Sequence, residues 1–94
     1  MAPKIEIERP GENQFRVRVS DDGSETSHLV TVKPEDYLRL TRGKADPAEL
    51  VRRSFEFLLE NEPKESILRQ FDLSVIGKYF PEYETEIRKR LSTP

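Results

Sequence analysis

A chain of 94 residues with 34% apolar and 36% charged side chains can build one thin hydrophobic core, with nothing left for a second domain or a large enclosed cavity. Its 16 Lys and Arg against 18 Asp and Glu give a net charge of −2, spread evenly along the chain, so the basic surplus used in phosphate binding is missing. Zero cysteines exclude disulfides, thiol chemistry and thiolate-held metals. The stretch Met1–Glu6 is too charged for a signal peptide and no apolar run of about 18 residues occurs, so the expectation is a soluble cytoplasmic protein with no membrane partner.

In chain order, Ile5 and Ile7 alternate with Lys4, Glu6 and Glu8. Pro10-Gly11-Glu12-Asn13 then supplies turn chemistry, and Phe15, Val17 and Val19 alternate with Arg16 and Arg18. This is a β-hairpin pattern. A second turn at Asp21-Asp22-Gly23-Ser24 leads to the β-branched stretch Ser27–Lys33, which Pro34 stops. The prediction for 4–33 is a three-stranded antiparallel meander, wet on one face and covered on the other.

Residues 34–91 carry the helical part. Pro34 followed by Glu35 and Asp36 suits a first helical turn, with Tyr37, Leu38 and Leu40 as its apolar side and Gly43 as its end. Asp46, Pro47 and Glu49 form a capping-box start for the longest helix. Its apolar residues Leu50, Val51, Phe55, Phe57, Leu58 and Leu59 spread over roughly 200° at 100° per residue. An arc of that width needs two coverings: the sheet, and either the later helices or another subunit. After Pro63 the cluster Ile67, Leu68 and Phe71 reads as a short helical piece that Asp72 closes and restarts as an N-cap. Val75, Ile76, Tyr79 and Phe80 then share one face, and Pro81 opens a last helix with the stripe Tyr83, Ile87 and Leu91 and the i,i+4 pairs Glu84–Arg88 and Glu86–Arg90. Ser92-Thr93-Pro94 reads as a frayed end.

The motifs of catalysis are missing. His28 is the only histidine, which removes His-based triads and two-His metal sites. It points with Val30 and Val32, so packing or an edge position explains it better than proton transfer. The glycines at 11, 23, 43 and 77 are isolated and cradle no phosphate. Glu82, Glu84 and Glu86 read as a solvated helix face. No catalytic, cofactor-binding or metal-binding residue, no cofactor and no small-molecule substrate is expected. The residues singled out for partner contact are Arg16 and Arg18 on the wet sheet face, and Tyr79 and Tyr83 in an aromatic stretch interleaved with charge. Arg52-Arg53 is assigned to pairing within the chain, and Phe80 to the core.

Two resemblances follow. His28-Leu29-Val30-Thr31-Val32, Ser54–Glu60, Glu65-Ser66-Ile67-Leu68, Phe71–Ile76 and Tyr79–Tyr83 are similar to the pattern of a family of short uncharacterised bacterial proteins, spanning residues 27–83. That resemblance implies no activity. Leu29–Val32, Pro34-Glu35-Asp36 and Glu49–Ser54 resemble the strand, helix, helix order of ribbon-helix-helix proteins, which implies a dimeric DNA-binding regulator or antitoxin. The first helix ends early at Gly43 and the chain is acidic, so this is the alternative. A helix-turn-helix over Ile67–Phe80 is disfavoured, because Asp72 stands where the turn glycine belongs.

The reading is therefore a single α+β domain, 1–94: a three-stranded antiparallel meander followed by four to five short helices packed on one face. It is expected to be a small non-enzymatic protein-protein interaction module whose partner is another protein or, as a homodimer, itself, with nucleic acid disfavoured.

Overall fold

The computed structural model describes residues 3–92. Alternation drives β1 (Lys4–Gly11) and β2 (Gln14–Asp21) into an antiparallel pair with Ile5 opposite Val19 and Ile7 opposite Val17. These residues share the covered face, while Glu6, Glu8, Arg16 and Arg18 share the other. The register shifts between Glu8 and Gly11, where Pro10 has no amide to give the ladder. Asp22 and Gly23, at φ 46° and 79°, form a two-residue loop into β3 (Ser24–Thr31). Positive φ at both positions matches the twist of a hairpin, and glycine adopts it without a Cβ clash. So tight a loop lets pairing begin at once, Asp21 opposite Ser24, which places the third strand three residues earlier than the predicted Ser27.

The sheet has four strands rather than three. β4 (Gln70–Asp72) runs parallel to β3, giving the order β1-β2-β3-β4. The sequence assigns these residues to a short helical piece; only a single 3-10 turn, Lys64–Ser66, is helical there. β3 would otherwise keep an unpaired edge beside the core, and β4 fills it: the Leu29 amide donates to the Arg69 carbonyl at 2.7 Å and the Leu73 amide to the Thr31 carbonyl at 2.9 Å. Asp72 does restart the chain, its Oδ1 accepting the Ser74 amide and hydroxyl at 3.0 and 2.8 Å, and α3 (Val75–Tyr79) follows.

The other helices are α1 (Pro34–Thr41), α2 (Pro47–Asn61) and α4 (Tyr83–Ser92). Pro34 and Pro47 open theirs as expected. Asp46 precedes α2, yet its side chain makes no capping bond, and the Glu49 carboxylate, the other half of a capping box, turns to Arg53 at 2.8 Å. Leu38 is 57% exposed. Asp36 takes the buried place expected of Leu38, held by Arg39 at 2.7 Å, and Arg39 also reaches Glu84 of α4 at 2.9 Å. The pairs Glu84–Arg88 and Glu86–Arg90 form at 3.4 and 3.3 Å. Thr93 and Pro94 lie outside the described residues, and Ser92 still belongs to α4, its hydroxyl donating to the Arg88 carbonyl.

The broad apolar arc of α2 is covered within one chain. The Phe55 ring faces the sheet side, 5.4 Å from His28 and 6.1 Å from Phe71. Phe57 faces the other flank, 5.6 Å from both Phe80 and Tyr83. Leu50, Val51, Phe55, Phe57 and Leu58 are buried and Leu59 half-buried, so the apolar arc is covered without a second subunit. Among the described residues, no helix is long and apolar enough to cross a membrane.

Candidate functional site

Where α2 ends, the chain must turn back beneath the sheet, and its path leaves a groove of about 400 Å³. Leu58 and Glu62 form one wall, Ile67 and Phe71 lie deeper, and Ile76 and Phe80 close the α3 side. Two large apolar side chains stand at its margin with much of their surface in water, Leu68 at 48% and Tyr79 at 68% exposure. Both follow from local geometry. Leu68 lies between the 3-10 turn and β4, so it belongs to no periodic face. α3 has only five residues, too few to bury every side of an apolar segment, and Tyr79 at its end projects outward.

The rim at Leu68 is anchored from below. His28 is buried on β3, where Leu68 Cα lies far along the chain but its carbonyl sits 2.8 Å from His28 Nδ1. A carbonyl only accepts, so Nδ1 carries the proton, and Nε2 accepts from the Thr26 hydroxyl at 2.9 Å. Burial pulls the imidazole below its ordinary pKa, against the Leu68 carbonyl and with help from the Arg69 charge. His28 is thus a neutral strut under the groove margin, and both ring nitrogens are used. Below it, Lys64 is buried and tied to Asp21 at the β2–β3 turn and to Glu65 at 2.9 Å; these partners raise its pKa and fix the 3-10 turn against the sheet.

Of the residues singled out from the sequence, Tyr79 belongs to this groove and the other three do not. Tyr83 is 1% exposed and sits in the core, its hydroxyl 2.6 Å from Ser54 Oγ; this corrects its assignment to partner contact. The two tyrosines are four positions apart, but the helix breaks at Phe80–Glu82, so they do not share a face. Arg16 and Arg18 lie on the sheet face opposite Phe15, Val17 and Val19, away from the helical layer and therefore from the groove. Arg18 pairs with Glu8 at 3.0 Å and keeps a buried Nε with no partner. Arg16 is exposed. Arg52 and Arg53 act within the chain as expected, on the Ile5 carbonyl at 3.0 Å and on Glu49. Sequence reasoning missed Leu68, Phe71 and Glu62 as site residues. The signal available was Leu68, an apolar residue followed by Arg69 and Gln70 outside any repeat.

A second hollow of about 480 Å³ between Tyr37, Asp46 and Arg90 is polar. Its arginines are already engaged, Arg53 by Glu49 and Glu56 and Arg90 by Glu60 at 2.7 Å, which leaves the apolar groove as the better binding feature. No protein-family model, curated protein or solved structure matches this chain.

Proposed function

We propose that this protein is a non-enzymatic interaction module that holds a short apolar segment of another protein in the groove beside Leu68 and Tyr79. The observation that carries the reading is the coincidence of an open apolar groove with two of the three largely exposed big hydrophobic residues among those described. Soluble proteins rarely leave such side chains together at a concavity, and aromatic residues on pocket rims are the usual anchors of binding energy. The scale favours a segment over a folded surface. A standard interface takes about 800 Å² from each partner, roughly a seventh of the 5859 Å² surface here, whereas the groove has room for one or two side chains.

The dimeric DNA-binding alternative has less support. A ribbon-helix-helix protein pairs one strand across two subunits to make its reading element, and the stretch in question, Leu29–Thr31 of β3, is already bonded to β2 on one edge and to β4 on the other. The polar sheet face that remains mixes Glu6 and Glu8 with Arg16 and Arg18, which gives phosphate no net attraction.

Photo-crosslinking tests the proposal. A photoreactive amino acid in place of Leu68 is expected to capture one defined protein, and the purified partner is expected to lose about tenfold or more in affinity for Tyr79→Ala. Equal capture from position 16 on the opposite face, or unchanged affinity for Tyr79→Ala, would overturn it.

A further inference from the structure

The groove opens beside a sheet edge to which no other strand is bonded among the described residues. In the parallel β3–β4 ladder, the Arg69 carbonyl and the Leu73 amide point at β3, and alternation gives the Phe71 amide and carbonyl the same direction. The amides and carbonyls of Gln70 and Asp72 therefore point away from β3, and no backbone bond within the chain takes them up among the described residues. The opposite edge is treated differently. There β1 is broken in register near Pro10, lined by alternating charge, and its Ile5 carbonyl accepts from Arg52 at 3.0 Å, which are ways of blunting an edge strand. The β4 edge is short, so it does not invite pairing of two whole sheets, yet Phe71 sends its side chain from the middle of it into the groove.

We infer that the segment held in the groove binds as an added β-strand along β4, its backbone bonded to Gln70 and Asp72 and alternate apolar side chains set beside Phe71. The inference rests on the groove reading proposed above. Strand addition takes affinity from main-chain bonds and selectivity from pockets for every second side chain, and both halves are adjacent here. Charge defines the occupant further. Glu62 is the only charged residue lining the groove and forms no ion pair among the described residues, so the partner strand carries a lysine or arginine next to an apolar anchor. A second copy of this chain is a poor occupant: the three-residue edge and one groove fall well short of the roughly 800 Å² per copy that a stable dimer uses.

Selection of short random peptides on the intact protein supplies the probes, and each enriched peptide is then synthesised. Enriched sequences are expected to alternate apolar and polar residues, with a basic residue beside the anchor. N-methylation of every second peptide amide is expected to weaken binding about tenfold or more, with the intervening set tolerated. Hydrogen exchange at the amides of Gln70 and Asp72 should slow in the complex. Peptides that space their apolar residues three and four apart, or that tolerate methylation at every amide, overturn strand addition; if Tyr79→Ala still abolishes their binding, the groove reading stands. Binding indifferent to both Tyr79→Ala and Leu68→Ser, or no enrichment at all, overturns the two together. Enriched sequences that match a stretch of this chain, with concentration-dependent association of the free protein, identify a second copy and overturn the inference of a foreign strand.

Discussion

Ser54 and Tyr83 meet in the core, and the direction of their hydrogen bonds can be worked out. Ser54 Oγ lies 2.7 Å from the Leu50 carbonyl and 2.6 Å from the Tyr83 hydroxyl. The carbonyl only accepts, so Ser54 donates to it and Tyr83 donates to Ser54. Burial pushes the phenol pKa far up, which keeps the donor protonated. Tyr83→Phe should cost about 1 kcal/mol, because Ser54 keeps one bond, while Ser54→Ala strands a buried O–H and should cost about 2 kcal/mol or more; urea titrations giving the reverse order would refute the assignment. His28 yields a pH dependence. Its folded-state pKa lies below the ordinary 6.5, so the unfolded chain binds the proton more readily and stability falls as pH drops through that value. The urea midpoint should be lower at about pH 5.5 than at pH 7.5, a window above the range where Glu60, Glu65 and Asp72, with lowered pKa values, take up protons. His28→Gln should flatten the profile over that window. Asp46→Ala, which a capping box would make costly, should change stability by less than about 0.5 kcal/mol, since no capping bond is there to lose.

At the scale of elements, α2 is the member that joins the two halves of the core. Phe55 has no exposed surface and touches both His28 and Phe71, so Phe55→Ala removes ring contacts to β3 and β4 at once and should cost about 3 to 5 kcal/mol in denaturant titration. A loss under about 1 kcal/mol would mean that α2 does not hold the sheet. The elements legible in the sequence are those whose signal is local: the hairpin from its alternation and turn residues, α1 and α2 from proline at N1, α4 from its stripe and i,i+4 pairs. β4 was not legible, because three residues show no period and their extended form depends on the free edge of β3, remote in sequence. The same cause hid the placement of Leu38 and Asp36. An 8-residue helix has too few turns to define a phase, and the buried position went to the carboxylate that Arg39 could neutralise.

For the molecule as a whole, the candidate site was half readable. Tyr79 stood out as an aromatic among charges, but Leu68 and Phe71 read as helix core, and only the β4 crossover brings them beside α3. The same crossover bears on association. A homodimer was the expectation from the width of the α2 arc, and that arc is closed by the sheet on one flank and by Phe80 and Tyr83 on the other. Among the described residues, the large apolar side chains left exposed are Leu68 and Tyr79 at the groove and Leu38 on α1, too little apolar area to offset the loss of translational and rotational freedom on pairing. The stretch that matches the alternative reading element is also taken on both edges, since Leu29–Thr31 of β3 pairs with β2 and β4, and β4 itself offers only three residues. Sedimentation equilibrium at micromolar concentration should therefore return a single species at 11.0 kDa across a wide dilution series. A species of twice that mass which disappears in Tyr79→Ala would place a second copy in the groove, and one that survives Tyr79→Ala would locate the interface on the Arg16 face of the sheet or elsewhere on the surface.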